Sequence, residues 1–525
     1  VEAAQDSKKI KSGLIVFVAV LASLLEIIDT SIVNVALPTM MGNLGCTLED
    51  ISMVVTGYAI ANAIILPLSA WLGEKIGRRR YYLGCIILFT LTSVACGLAP
   101  NLATLTIFRI LQGLAGGALL PTSQTLIYEQ FPKEKAGMAG AIFGMSVMIG
   151  PTLGPVLGGY LTDEYGWRSI FNINLPLGII ALVLGSSCIF DRPKHGKESK
   201  DDDKGFDGVG LALLTLGIGC LQFALERGEA DDWFSSDAIT GCVILASVCL
   251  PTFVWWELRV KNPVINVRLF KDSVVSCGVM LMGLLGFFLY SLVFVLPVFV
   301  GTVFKYTATQ TGLLFIPGSL LTAALMPLMG KMMMAGVNVK KLIFTGITAI
   351  LVCQYLLTML SPDSDQWDIY NILFVRGIAL AFLFVPINSS IISQFEGINM
   401  GQVSGLLNLF RQIGGSIGVA LVGTLMSSRG HQNYLDLASK VSMLNANTQM
   451  AYFSTVSGFL KKAGVGFADA HHATLMALRG RVDAQVFMLN FNQLIWVIMI
   501  VFSTAYIPLY LLRFKKKVVA VTDSH

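Results

Sequence analysis

Apolar runs of roughly twenty residues, parted by short polar stretches, recur along the whole of this 525-residue chain. As a helix, such a run crosses a hydrocarbon core about 30 Å thick. About fourteen can be marked, over residues 13–37, 51–71, 81–99, 102–122, 137–160, 170–190, 208–225, 238–256, 274–300, 307–330, 342–360, 369–392, 402–425 and 491–512. Ten-residue segments of alternating polarity, the mark of a transmembrane barrel, are missing, so the spans are expected to be helices. Composition agrees: 54% hydrophobic residues, 13% charged and a mean hydropathy of +0.71 point to an all-α polytopic membrane protein.

Basic residues gather on alternate connections: Lys8, Lys9 and Lys11; Lys75, Arg78, Arg79 and Arg80; Arg192, Lys194, Lys197, Lys200 and Lys204; Arg259, Lys261, Arg268 and Lys271; and Arg513, Lys515, Lys516 and Lys517. The loops between are acidic, with Glu49 and Asp50, then Glu229, Asp231 and Asp232, then Asp363, Asp365 and Asp368. Since positive loops stay on the cytoplasmic side, both termini are expected there. The net charge of +5 thus forms inner-face girdles without interleaved aromatics, which excludes a nucleic-acid partner. The first run is too long for a signal peptide's apolar core and lacks a small-residue cleavage site, so it is expected to be retained.

Nine cysteines stand singly, and no CxxC or Cys/His spacing points to a metal. GxSxG and nucleotide-binding loops are absent too, and His471 and His472 read as solvated residues. An enzyme is the least favoured reading. No cofactor is expected, and an ion gradient is left as the energy source.

Two stretches break the pattern of short loops. Residues 191–207, with the run KDDDK, read as a charged cytoplasmic linker after an N-terminal six-helix half (1–190). Residues 427–490 form a long outer loop, polar at first and then helically patterned at Ala451, Phe459 and Phe467. The chain also echoes itself: LTIFRILQG (105–113) in the fourth span answers ILFVRG (372–377) in the twelfth, and 150–159 resembles 414–418. Both pairs align if 273–525 is a second six-helix half and 208–272 an inserted hairpin with its connecting loop. Repeats of this kind place a transporter's binding site at their interface.

The chemistry begins in the first span, where Glu26 and Asp29 lie one turn apart on one helical face. Ionised acids at bilayer depth are costly and by default functional candidates. Arg109, in the fourth span, can share their depth, and it cannot lose its charge there. One arginine can hold only one of the two acids comfortably ionised, so the trio is suited to loading and releasing a proton; the alternative is a permanent structural ion pair. Gly150, Gly154, Pro155, Gly158 and Gly159 spell GxxxGPxxGG in the fifth span, a helix able to pack closely and to bend or slide. Between spans two and three, Glu74 lies among Lys75, Arg78, Arg79 and Arg80, with Gly77 in the same loop, either as a membrane anchor or as a state-dependent latch at a helix N-terminus. Asn34, Asn62, Gln112, Gln124, Asn388 and Asn408 either line a cavity or bond across helices. Arg376 and Arg411 stand in the second half, whose first helix (span nine) carries no acid but offers Phe287, Phe288, Tyr290 and Phe294 as an apolar surface suited to hydrophobic ligands or to lipid.

Together these residues resemble the major facilitator superfamily, and specifically its fourteen-helix drug:proton antiporter branch. Leu72, Glu74, Gly77, Arg78 and Arg79 match the loop motif GxLADRxGRK; Arg109, Gln112 and Gly113 match RxxQG; residues 150–159 match the antiporter motif; and residues 29–38, DTSIVNVALP, match DxTxVNVALP. The resemblance implies the major facilitator fold, with two six-helix halves and an inserted hairpin. It also implies export of hydrophobic or amphipathic compounds across a bacterial inner membrane, by alternating access and in exchange for protons. Asp29, Glu26 and Arg109 would couple the proton. Asn34, Asn62, Gln112, Gln124, Phe287, Tyr290, Phe294, Asn388 and Asn408, with Arg376 and Arg411, would line the substrate space, and the loop and glycine motifs would switch conformation. A periplasmic adaptor of the EmrA kind and an outer-membrane channel of the TolC kind are the partners it implies. Ala70 and Glu74 depart from the loop motif, and Met334 leaves its second-half copy without an acid. Competing expectations are a dedicated exporter of a native metabolite, such as a fatty acid or siderophore, and a membrane receptor or scaffold that transports nothing.

Overall fold

The computed structural model describes residues 2–190, 207–362, 364–442, 444–463 and 466–513. Of the expected linker, only Asp207 lies among them. The helices are α1 (Glu2–Leu44), α2 (Leu48–Ile76), α3 (Arg78–Gly97), α4 (Leu102–Glu129), α5 (Ala136–Tyr165), α6 (Ser169–Asn172), α7 (Asn174–Cys188), α8 (Gly208–Arg227), α9 (Asp237–Glu257), α10 (Ser273–Val303), α11 (Ala308–Met334), α12 (Val339–Thr358), α13 (Gln366–Ile392), α14 (Gly397–Ala438), α15 (Ala446–Ala463), α16 (Phe467–Ser503) and α17 (Tyr506–Leu511). No strand occurs among the described residues. Fourteen stretches are long and apolar enough to span a bilayer, α6 and α7 together making the sixth and α16 with α17 the last.

Local sequence starts these helices where the apolar runs begin. Thr47 and Asp50 close a capping box on α2, Thr307 and Gln310 another on α11, and Asp365 and Asp368 a third on α13. Asn101, Asp272 and Asn338 cap α4, α10 and α12. Each side chain fills a backbone donor that the first turn leaves free. Gly77, at φ 95°, supplies the left-handed break between α2 and α3 that a residue with a Cβ would resist.

The last two spans are much longer than their apolar runs. At 1.5 Å per residue, α14 reaches about 63 Å and α16 about 55 Å, so both project well beyond a bilayer. No proline interrupts residues 427–490, and the helices continue through polar sequence there. α15 packs on α16 through a small core of Tyr452, Val456 and Ala470, with Phe459 and Leu478 beside it. The Tyr452 hydroxyl also hydrogen-bonds His471 Nδ1.

Within the membrane the helices form two six-helix halves with the same pairings. α1 packs on α5, α2 on α4 and α3 on α4; correspondingly α10 packs on α14, α11 on α13 and α12 on α13. The seam between halves is made by α5 against α11 and α13, and by α14 against α2 and α4. The α8–α9 hairpin lies over the second of these, touching both α2 and α14.

That seam is shut at the end carrying Lys75 and Arg78 to Arg80, here termed the basic face. α5 and α11 cross so closely that a Cβ on Gly137 would lie 2.9 Å from the Gly330 carbonyl oxygen, and one on Gly330 would lie 2.7 Å from that of Gly137. Phe143 stacks on Phe384 at 6.1 Å, and the Tyr128 and Ser389 hydroxyls meet at 3.1 Å. Gln124 Nε2 donates to Asn388 Oδ1 (2.9 Å), while its Oε1 accepts from Ser404 Oγ (2.5 Å) and Asn408 Nδ2 (2.9 Å). At the surface Lys133 Nζ pairs with Glu396 at 2.5 Å. A cavity of about 250 Å³ lined by Tyr128, Phe131, Lys133, Ser393, Glu396 and Met400 lies beside this closure.

Gly137→Val puts branched carbons where two backbones touch, so the basic face of this variant should stand open. Labelling of a cysteine placed at Ser390 would report it as faster modification from that side; unchanged labelling would contradict the close crossing. The Lys133 contact, by hydrogen bond and charge, holds the Glu396 carboxyl below its usual range. A depressed carboxylate gives its stabilisation above the ordinary carboxylate range and loses it only as pH falls through the lowered value. Between about pH 5 and 8 the pair is therefore constant, and as an exposed pair it contributes little. Spin-label distances across the basic face should follow the same pH profile in Glu396→Gln as in the parent.

Candidate functional site

α1 is held in place by the glycines of α5. A Cβ on Gly150 would run into Ile27, one on Gly154 into Ser31, and one on Gly158 would lie 2.8 Å from the Ile32 carbonyl oxygen. These three glycines therefore set how deeply the acid-bearing stretch of α1 beds against α5. Gly159 does not share this role, for its Cβ would meet nothing nearer than Val35 at 4.0 Å. Pro155 faces the other half, 3.8 Å from where a Cβ on Gly312 would stand.

Bedded this way, Asp29 is fully buried and saturated with donors. Its Oδ2 accepts from Arg109 Nη1 at 2.5 Å; its Oδ1 accepts from Gln112 Nε2 at 2.9 Å and from Asn174 Nδ2 at 2.8 Å. Arg109 is equally committed. Nη1 also donates to Gln112 Oε1 (2.8 Å), Nε donates to the Val54 carbonyl (3.4 Å), and the guanidinium lies 4.1 Å over the Tyr58 ring. Asn174 Nδ2 also donates to Ser93 Oγ, which in turn donates to the Phe171 carbonyl. Cys96 Sγ donates to Gln112 Oε1 at 3.7 Å and, with Cys46, is a free thiol. One carboxylate thus ties together α1, α3, α4 and α7.

Glu26 is treated differently. It accepts a single amide hydrogen bond, from Asn62 Nδ2 at 2.9 Å, and stands beside Tyr58 against Gly116. Arg411, on α14 across the seam, is close enough to act on its carboxylate through space. Arg411 itself donates Nη2 to Asn408 Oδ1 at 3.2 Å and leaves Nε buried without an acceptor among the described residues.

The other residues marked from sequence fall into separate places. Gln124, Asn388 and Asn408 form the closed polar cluster at the seam, not the wall of an open space. Phe287 is buried against Gly418, Tyr290 packs its ring on Gly415, Phe294 is 40% exposed and Asn34 is exposed. Arg376 lies over the Phe315 ring at 5.2 Å. In the basic loop Arg78 pairs with Glu129 at the end of α4, Arg79 donates to the Ser186 carbonyl, and Glu74 is exposed with no hydrogen bond to another described residue. Sequence reading missed Asn174, Ser93 and Tyr58. Asn174 had a visible signal, as an amide within the apolar sixth span; Ser93 and Tyr58 look like ordinary helix residues until the fold brings them to Asp29.

A buried acid and arginine joining the first, fourth and sixth spans, in a fold of two matching six-helix halves, agree with the family model for the Major Facilitator Superfamily, which matches residues 19–419. The chain belongs to that superfamily. It is similar to the multidrug export protein EmrB of Escherichia coli strain K12, 31% identical over 497 residues and 94% of each chain. It is also similar to the fatty acid resistance protein FarB of Neisseria gonorrhoeae, 32% identical over 475 residues and 90% of each chain. Solved superfamily folds match at 13% identity: the human organic anion transporter MFSD10 (TM-score 0.61, 96% of this chain and 99% of that one) and the proton:xylose symporter XylE (TM-score 0.56, 94% and 95%).

Removing one member of a buried ion pair strands the other, at a cost of about 3–5 kcal/mol. Asp29→Asn is therefore expected to destabilise the detergent-solubilised protein by about 3 kcal/mol. Glu26→Gln keeps an oxygen for Asn62 and should change stability by less than about 1 kcal/mol. Thermal unfolding of both variants checks the ranking, and equal losses would refute it.

Proposed function

We propose that this superfamily member is an inner-membrane exporter that moves hydrophobic or amphipathic compounds outward by alternating access, driven by protons moving inward. The observation that carries the reading is the unequal treatment of the two acids. Arg109, Gln112 and Asn174 are spent on Asp29, leaving Glu26 with one amide and, across the seam, Arg411. Asp29 is then the fixed counter-charge of Arg109 in this conformation, and Glu26 is the acid that exchanges its proton.

The closed basic face, taken as cytoplasmic from the distribution of lysine and arginine, is assigned in this reading to the part of the cycle in which the proton site communicates with the periplasm. A proton arriving from there neutralises Glu26 and removes its attraction for Arg411 in the other half. A ligand shifts a two-state equilibrium by its differential affinity for the states, and a lost cross-seam attraction is such a difference. The seam that must then part is held largely by neutral hydrogen bonds, each worth only about 1 kcal/mol net. One proton is a comparable quantity. With the cytoplasmic side open, Glu26 releases its proton, substrate enters between the halves, and the molecule returns.

Multidrug export fits the EmrB relatives, and the projecting helices α14, α15 and α16 offer a docking surface for an adaptor of the EmrA kind leading to a channel of the TolC kind. A second reading, a dedicated exporter of an amphipathic acid, is favoured by the FarB relative. Competition by unrelated hydrophobic cations separates the two.

In proteoliposomes, Glu26→Gln should abolish substrate efflux driven by an imposed pH gradient while retaining downhill substrate exchange. Full retention of gradient-driven efflux would defeat the proton assignment, and binding without any flux in the parent protein would favour a receptor.

A further inference from the structure

The two halves repeat the surroundings of one arginine but not its partner. In the first half Arg109 on α4 lies over Tyr58 of α2 and beside Cys96 of α3. In the second, Arg376 on α13 lies over Phe315 of α11 and within electrostatic reach of Cys353 of α12, whose thiol donates to the Ile372 carbonyl of the same α13. Those helices pair in the same way, α2 with α4 and α3 with α4, α11 with α13 and α12 with α13. The aromatic and the cysteine keep the same spacing in both halves, Tyr58 to Cys96 and Phe315 to Cys353, while the arginine lies further along the chain in the second half, so the likeness is one of surroundings and not of register.

Among the described residues of the second half, no acid pairs with this charge. The position of Gln112 is taken by Ala379, and α10 has no acidic residue beyond its cap. Arg376 is 5% exposed, and its Nε and Nη1 are buried with no acceptor among the described residues. Gln354, next to Cys353 and 1% exposed, leaves both its oxygen and its nitrogen unfilled as well. A guanidinium does not shed its proton to escape such a place. One aromatic face recovers only a small part of the hydration it has lost.

We propose that Arg376 anchors the anionic headgroup of a cargo, so that the second half binds amphiphiles bearing a carboxylate while the first half handles the proton. This rests on the export reading above and narrows its substrate class. The chemistry of a fitting partner is shown by the first half, where a carboxylate pairs with the buried arginine under an aromatic ring. Phe315, only half-buried over the guanidinium, supplies apolar surface for the start of the tail. Placing the anion site on α13, apart from Glu26 on α1, keeps bound cargo from holding the exchanging acid in its protonated form. An anion leaving a cell whose interior is negative also moves with the membrane potential, not against it.

The test uses the full chain in liposomes, with dodecanoate and dodecyltrimethylammonium as probes that share a tail and differ in head charge. Under an imposed pH gradient, Arg376→Gln should raise the half-saturating dodecanoate concentration about tenfold or more and leave the ammonium probe within about twofold; Arg376→Lys should restore part of the loss. Equal effects on both probes, or none on dodecanoate, would overturn the assignment. If the parent carries the ammonium but not dodecanoate, the anion site is wrong and export stands; if it carries neither, the export reading itself falls. Arg376→Gln should also melt no lower than the parent, because it removes a charge without a partner. A marked drop would show the guanidinium to be compensated already and overturn the proposal.

Discussion

A guanidinium that cannot deprotonate, placed at bilayer depth, must find an anion or a wet cavity. In the first half of this protein Arg109 finds Asp29, and most of the local architecture follows from making that pair tolerable. A buried pair recovers its desolvation cost only when the remaining donors and lone pairs are also filled. Gln112, Asn174, Ser93 and the Val54 carbonyl do that from α4, α7, α3 and α2. The glycines of α5 then bring α1 close enough for Asp29 to reach them. The consequence for Glu26 is indirect: because Asp29 has taken the arginine, the second acid is left to a single amide and to the charge across the seam.

The seam has the opposite character. Where the pair within the first half is charged, deep and saturated, the contacts between halves are amide, hydroxyl and aromatic, with two glycine backbones crossing and one exposed ion pair at the rim. Neutral contacts of this kind exclude water while each contributes only about 1 kcal/mol net, which suits the parting of the halves that the proposed mechanism requires. The α8–α9 hairpin adds a tether on one side of that seam. Arg227 donates to Ser52 Oγ and the Glu49 carbonyl near the start of α2, while Gln222 donates to Ser416 Oγ and Trp233 Nε1 donates to Thr424 Oγ1 on α14. The α2–α14 side is therefore bridged by a third element, whereas α5 and α11 meet directly.

Sequence reading reaches the spans because a bilayer leaves so few ways to bury a backbone, and an apolar run of sufficient length is nearly a structure in itself. Glu26, Asp29 and Arg109 are legible for the same reason, since charge in such a run is conspicuous. Their division of labour is not, because which acid takes the arginine depends on the rotation of α1 against α5. Gln124, Asn388 and Asn408 looked like cavity residues or cross-helix bonds with equal right. Only the conformation of the seam, which spacing does not encode, makes them a closed cluster. The same limit applies to α14 and α16: hydropathy marks where a helix enters lipid, and says nothing of where it stops once outside.

The halves share pairings and an arginine site but differ in what surrounds it. The loop between α2 and α3 carries Glu74 and its cations, and its second-half copy has Met334 instead; the apolar run of α1 carries Glu26 and Asp29, whereas α10 carries no acid. A symmetric machine would place protonatable groups on both sides of the central space, and cargo on either side would then compete with a proton directly. On the proposed reading, with Glu26 and Asp29 in one half and the guanidinium of Arg376 in the other, a proton and a cargo need not share atoms. In the proposed mechanism they are coupled through the position of the seam, across which Arg411 acts on Glu26 through space. Coupling by a shared conformational equilibrium requires only that each ligand prefer one arrangement over the other, and it permits cargo of varied shape, since no cargo atom has to reproduce the geometry of the proton site.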